Sequence, residues 1–442
     1  MFYRFQRRFW AVFILVHCFQ AEAVPKVPGR PTALQEKQGS AREANYGRQF
    51  QRKLARHTRA GRASFFRRFL PLRDGKRAFA ERIAMVNRSR EFVVATVYSI
   101  NPDQYGFAFV ESLVAAAKRG LSVTLLLDRN AQLAHDLRVD KAQKRRMRSL
   151  FKELQDVGGT LAFAGGWKML WKRPGAGKHT KVLISDGRQA IYEGRNIGED
   201  YVEKWSDFGA LLEGPVVGDL AREALHLLNT SDPYRWHGLR SRRKDRQRYA
   251  VKLSQLGRLI ETSSVLRSSR LNNSAHKPAY FAAWDPLGDE RTFIPQGTNR
   301  VTRALVDAID QAQKTITLST NFFFPSWGLR KKLKRAAQRG VQVNIVTTGK
   351  GHGPGYNLGR WIVSLFSRDL HKAGCRFFET RKKEHGKLYL FDEELAAFGS
   401  YNTSMMSHAL NADSLLFSVE SQVVNSVREA LNESIDQSVL RD

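Results

Sequence analysis

The sequence predicts an α/β protein made of two similar halves, and three observations lead there. A strand, an amphipathic helix ending in glycine and a second strand occur in that order twice. Each copy then delivers the same triplet, His179-x-Lys181-x4-Asp186 and His385-x-Lys387-x4-Asp392, with the second histidine 206 positions after the first. The chain has 442 residues, of which 42% are hydrophobic, enough to build two cores.

Taken in order, the chain opens on what reads as a targeting segment. Arg4, Arg7 and Arg8 precede an apolar run over residues 9–19 and an Ala21-Glu22-Ala23 cleavage signal. A cleaved secretory signal over residues 1–23 is the first reading and an uncleaved N-terminal anchor the second, because the run is short for a membrane span. Either implies export to the bacterial periplasm or its membrane face. Residues 24–73 carry thirteen Lys or Arg against two acidic residues. A basic, partly disordered region is expected over residues 24–75, with basic helix over residues 51–70. Phe65, Phe66 and Phe69 fit either an anionic membrane surface or a cap on the folded domain.

The first half is expected over residues 76–230. Phe92-Val93-Val94-Ala95-Thr96 reads as a strand, the following helix ends at Ala117-Lys118-Arg119-Gly120, and residues 122–127 form the next strand. Residues 231–288 read as an exposed basic connection with some helix, with seven basic residues and one acidic residue in 235–248. The second half, residues 289–442, repeats the first. Ile316-Thr317-Leu318-Ser319-Thr320 is the strand, the helix ends at Ala337-Gln338-Arg339-Gly340, and residues 341–346 are the next strand. This order implies βαβ units with largely parallel pairing.

The triplets carry the chemistry. His and Lys two apart project from one face of a strand. Asn196 and Asn402 follow each triplet past a glycine-containing turn, in Glu193-Gly194-Arg195-Asn196 and Gly399-Ser400-Tyr401-Asn402. Two histidines, two lysines and two asparagines are what a metal-free phosphoryl-transfer site needs. One imidazole attacks phosphorus, the other protonates the leaving oxygen, and cations and amides hold the non-bridging oxygens. An aspartate opening a turn, as Asp186 and Asp392 do, usually orders that turn. A lone His-x-Lys is commonly a solvated strand face; two copies with Asp and Asn at matching offsets argue for a site.

The paired triplet resembles the phospholipase D superfamily. The run from Asn196-Ile197-Gly198-Glu199-Asp200-Tyr201 through Trp205-Ser206-Asp207 to Glu213-Gly214-Pro215-Val216-Val217 is similar to bacterial cardiolipin synthases and related phosphatidyltransferases. The resemblance implies two α/β-sandwich halves related by a pseudo-two-fold axis, with one active site at their interface. It further implies His179 as nucleophile, His385 as acid and base, and Lys181, Lys387, Asn196 and Asn402 on the phosphoryl oxygens. Asp207 and Asp413, in Asn411-Ala412-Asp413, would orient the histidines, and Asp186 and Asp392 would be structural. The sequence departs from the family at Glu193-Gly194, where a Gly-Gly or Gly-Ser pair is usual, so a hydroxyl at Ser400 has no counterpart at Gly194. Ser400 reads as a phosphate-site hydroxyl or as a small residue in a crowded turn.

A net charge of +31 implies a polyanionic partner, lipid surface or nucleic acid. Arg381, Lys382 and Lys383, just before His385, are the cations placed to meet an anionic substrate. Two cysteines, Cys18 and Cys375, supply neither a disulfide framework nor a cysteine-ligated metal site, and no cofactor or metal is expected. Both motifs in one chain, the synthase-like run and the export signal favour a phospholipid substrate at an anionic membrane, handled by a monomer. The alternative is a nuclease or phosphodiesterase acting on nucleic acid.

Overall fold

The computed structural model describes residues 46–136, 139–164, 177–233, 243–263, 277–286, 299–321, 323–349, 364 and 367–441. The expected signal segment and the proline-rich stretch after it lie outside these residues.

Two mixed sheets carry the fold, and they repeat one pattern. In the first sheet Phe92–Val97, Ser122–Asp128 and Thr160–Ala164 lie parallel in that spatial order, with Lys181–Ser185, Gln189–Glu193 and Gly209–Glu213 added antiparallel on the other side of Phe92–Val97. In the second sheet Thr315–Ser319, Gln342–Thr348 and Arg376–Thr380 are the parallel set. Leu388–Phe391, Leu395–Gly399 and Asn411–Ser418 extend it antiparallel. Pairing is parallel within the βαβ units, as expected, while the strands that follow each triplet are added antiparallel. The cause is local. Each triplet ends in a hairpin with a three-residue connection whose first two residues have positive φ, Asp186 and Gly187 at 53° and 63°, Asp392 and Glu393 at 52° and 60°. That geometry reverses the chain at once and lays the next strand antiparallel.

The helices before the second strands span Gln104–Lys118 and Trp327–Gln338. Gly120 and Gly340 follow them at φ 91° and 90°, the left-handed conformation that closes a helix without a Cβ clash. Helices Val216–Asn229 and Ser421–Asp436 close the two halves. Val217 and Leu220 of the first, and Val423 and Val427 of the second, join one buried cluster that draws on both sheets, including Val182, Ile184, Leu388 and Phe398. The halves thus share a core. Two further clusters cover the outer faces.

Three expectations about the borders change. Residues before 76 are part of the fold: Ser64–Phe66 pairs with the second sheet and Arg68–Leu72 with the first. Among the described residues of the expected basic helix, helix spans Arg48–Ala55 and the rest is strand or turn. Phe66 and Phe69 are 0% and 3% exposed, so they cap the core and do not lie on a membrane. The basic connection also contributes structure. Helix Arg243–Thr262 buries Tyr249, Leu253, Leu256 and Ile260 in the shared core, and Lys277–Trp284 pairs antiparallel with Asn411–Ser418 as the second sheet's next-to-edge strand. Its Lys/Arg-rich sequence masks an apolar stripe at helical spacing. No helix among the described residues is long and apolar enough to cross a membrane.

Candidate active site

Each half lends its histidine to the other. Gly177–Lys178 pairs with Asn411 and Ala412 of the second sheet, and the His179 and Thr180 amides donate to the Ala412 carbonyl at 2.8 and 3.1 Å. The His385 amide donates to the Ser206 carbonyl at 2.7 Å, and the Ser206 amide to the Lys383 carbonyl at 2.9 Å. Both histidines therefore precede their strands, which begin at Lys181 and Leu388. The expected projection of His and Lys from one strand face gives way to a bridge between halves.

That bridge fixes two crossed dyads. His179 Nδ1 donates to Asp413 Oδ1 at 2.8 Å, with the Ser400 carbonyl 3.0 Å away. His385 Nδ1 donates to Asp207 Oδ2 at 2.5 Å. In each case the carboxylate belongs to the half opposite its histidine. A proton held on Nδ1 leaves the lone pair of the neutral ring on Nε2, the tautomer suited to attack or proton transfer.

The lysines sit beneath the rings. Lys181 Nζ donates to the His179 carbonyl at 2.6 Å. Lys387 Nζ donates to the His385 carbonyl and lies 2.9 Å from that ring's Nδ1. Both are buried, at 2% and 1% exposure. Burial brings Lys387 down to about 8 against the pull of Asp207 and Glu384, and burial with the Lys387 charge brings Lys181 well below the usual lysine range. The Lys387 charge acts on His179 and the Lys181 charge on His385, so the two triplets form one electrostatic site. Burial, then the neighbouring lysine, lowers both histidines, His385 to about 3. Burial alone would raise both aspartates; the paired histidines and lysines outweigh it, lowering Asp413 and bringing Asp207 down to about 2. The free site thus holds neutral imidazoles on ionised carboxylates. An entering phosphodiester would supply the anion that these buried lysines lack.

The remaining predicted residues divide. Asn196 is buried and its amide nitrogen donates to the Tyr201 hydroxyl at 2.9 Å. The side-chain oxygens of Asn196 and Asn402 are both buried and without a partner. Asp186 accepts the amides of Arg90, Glu91 and Phe92, and Asp392 those of Gln313, Lys314 and Thr315. Both carboxylates tie their hairpin to the first strand of their half. Ser400 does not face substrate. Fully buried, it donates to Asp413 Oδ1 at 2.7 Å and accepts from the Ser414 amide at 3.1 Å. Arg381 and Lys382 are exposed, whereas the Lys383 ammonium lies 3.3 Å from the centroid of the Trp205 ring.

The departure at Glu193-Gly194 has a physical reason. A Cβ on Gly194 would come within 2.4 Å of Asp207 Oδ1, leaving no room for a serine there. Glu193 is buried between Arg82 and Arg195, and Arg195 also donates to the Asp207 carbonyl at 2.6 Å. Sequence reasoning missed this cluster. It also missed the aromatic walls: Tyr98 packs edge-on to His179 at 4.8 Å, and Tyr201 and Trp205 lie 5.2 and 5.6 Å from His385. Tyr98 follows a parallel strand's C-terminal end, where α/β ligand sites gather, so a signal was present. Lys178, buried beside His179, pairs with Asp285 and bonds Thr230 at 2.6 Å; nothing in its spacing announced this. Among the described residues no cluster of three His, Cys, Asp or Glu could hold a metal.

Residues 305–435 match a family described as "Cardiolipin synthase, PLD-like domain". A cardiolipin synthase of Clostridium perfringens is 25% identical over 378 residues, covering 84% of this chain and 69% of that protein. Cardiolipin synthase 1 of Staphylococcus epidermidis is 23% identical over 377 residues, 83% of this chain and 67% of the relative. The crystal structure of a phosphatidylserine synthase from Haemophilus influenzae superimposes with a TM-score of 0.60 at 14% identity, covering 86% of this chain and 89% of that one, a likeness of fold.

Proposed function

The chain being phospholipase D-like in sequence and fold, we propose that it transfers phosphatidyl groups between lipid alcohols, without a metal, through a phosphohistidine. The observation that carries this is the pair of crossed dyads, His179 on Asp413 and His385 on Asp207, over two buried lysines. His179 Nε2 attacks the phosphorus of a phospholipid. The bond from phosphorus to the leaving alcohol oxygen breaks, and His385, which takes up a proton on Nε2 as the anionic substrate enters, gives that oxygen this proton. An acceptor hydroxyl then attacks the phosphohistidine. Its proton passes to His385, and the phosphorus–nitrogen bond breaks to free His179. Lys181 and Lys387 stabilise the charge on the phosphoryl oxygens, the part a metal plays elsewhere.

The relatives named cardiolipin synthase favour a phospholipid donor and a lipid alcohol over water as acceptor. One chain holds both triplets, so a monomer suffices. The arginine-led N-terminal segment favours a reaction on the exported face of a membrane. The net charge of +31 favours a second reading, cleavage of nucleic acid. Purified protein offered phosphatidylglycerol, other phospholipids and DNA in chelator separates the two. A two-phosphate lipid from phosphatidylglycerol supports the transferase, and phosphatidic acid a hydrolase. DNA cleaved with every lipid intact overturns the lipid reading.

A further inference from the structure

Helix Trp327–Gln338 presents an unusual outer face. Leu329, Leu333 and Ala336 are buried against the second half. The opposite stripe, at helical spacing, is Trp327, Lys331, Lys334 and Arg335. Trp327 is 72% exposed, the largest exposure among the big apolar side chains described. The helix holds no acidic residue. Lys332 pairs with Asp310 and Arg330 with Asp369, whereas Lys331, Lys334 and Arg335 have no ion-pair partner among the described residues.

The tryptophan end adjoins the active site. Ser326 caps the helix, and two residues earlier Phe324 exchanges hydrogen bonds with the segment after Asn402: its amide donates to Thr403 and its carbonyl accepts from Met405. Met405 and Met406 are partly exposed beside it. The rim of the site thus carries an indole, two thioethers and, running away from it, a row of unpaired cations. Indole rings settle at the level of lipid headgroups, and lysine and arginine are drawn to anionic headgroups.

We propose that the face formed by Trp327, Lys331, Lys334 and Arg335 docks on an anionic phospholipid bilayer and brings the Asn402 side of the site to the surface where its substrate lies. This rests on the phospholipid reading above. Charge complementarity and continuity with the site select the occupant.

The test is vesicle co-sedimentation of the full chain with phosphatidylglycerol/phosphatidylcholine vesicles. It compares wild type, Trp327→Ala, the triple Lys331→Gln/Lys334→Gln/Arg335→Gln, and a control triple of equal charge change on the first half, Lys141→Gln/Lys144→Gln/Arg145→Gln. Each basic residue at an anionic surface is worth about fivefold in partitioning, so the first triple should bind about 100-fold more weakly. Trp327→Ala should lose several-fold and the control little. Turnover of a monomeric short-chain phosphatidylglycerol should match wild type in all of them. Equal losses in the two triples, undiminished binding in the first, or weakened DNA binding with unchanged vesicle binding would overturn the docking face. Absence of turnover on both monomeric and vesicular lipid in wild type would instead overturn the phospholipid reading, whatever binds.

Discussion

Replacing Asp207 by Asn tests whether a carboxylate lent by one half governs the histidine of the other. The side chain is fully buried, 2.5 Å from His385 Nδ1. Its other oxygen accepts the Phe208 amide at 2.7 Å, a bond that the asparagine oxygen can keep, so the fold should survive. What is lost is a charge-assisted bond worth roughly 1.5–3 kcal/mol to the imidazolium. At 1.36 kcal/mol per decade this slows turnover about 10- to 100-fold. An amide nitrogen turned toward Nδ1 would also drive the ring proton to Nε2. His385 then cannot accept a proton from the acceptor alcohol, so release of the phosphoenzyme should suffer more than its formation. Lys387 loses its largest opposing charge and should titrate below its present value of about 8. The assay is steady-state and single-turnover kinetics on phosphatidylglycerol, with circular dichroism to confirm folding. A folded variant whose turnover stays within about threefold of wild type would refute the crossed dyad as a catalytic device.

Three further outcomes follow from the same geometry. Activity should fall as pH rises through about 8, where Lys387 loses its charge, while stability should rise between there and the usual lysine value of 10.5, since the unfolded chain binds more protons in that window; kcat/KM and thermal unfolding across pH 7–10 check both. Ser400→Gly imitates Gly194 but removes one of the two bonds to Asp413 Oδ1 and the side-chain partner of the buried Ser414 amide, and should cost about 1–3 kcal/mol in urea unfolding, against no change if the hydroxyl were idle. Glu393→Gly removes a left-handed non-glycine residue from a hairpin and should stabilise by about 1 kcal/mol with activity unchanged; a loss of stability would show that the Glu393–Arg428 pair outweighs backbone relief.

Much of this was legible because it is local. The first repeated strand was expected over residues 92–96 and spans Phe92–Val97; its counterpart was expected over 316–320 and spans Thr315–Ser319. The glycines at 120 and 340 and the two triplets depend on short-range chemistry, which sequence records directly. The crossing of the halves does not. Asp207 follows His179 by 28 residues yet serves His385, a choice made by the packing of two sheets. Edge strands Ser64–Phe66 and Arg68–Leu72 were hidden by flanking arginines, and Lys277–Trp284 by the basic segment before it. Ser400 illustrates the limit at a single residue. Its type fits a phosphate ligand or a turn, and only the position of Asp413, 2.7 Å from its hydroxyl, decides.

The central claim is that His179, held by Asp413, attacks phosphorus while His385 handles the protons. Rapid quench of the protein with a phosphorus-labelled phospholipid, in chelator, followed by mapping of the label, tests it most directly. The account predicts an acid-labile phosphoramidate on His179, trapped in greater yield in His385→Asn and absent from His179→Ala. Label on His385 would exchange the two roles. Full turnover by His179→Ala and His385→Ala with no labelled protein would contradict the account.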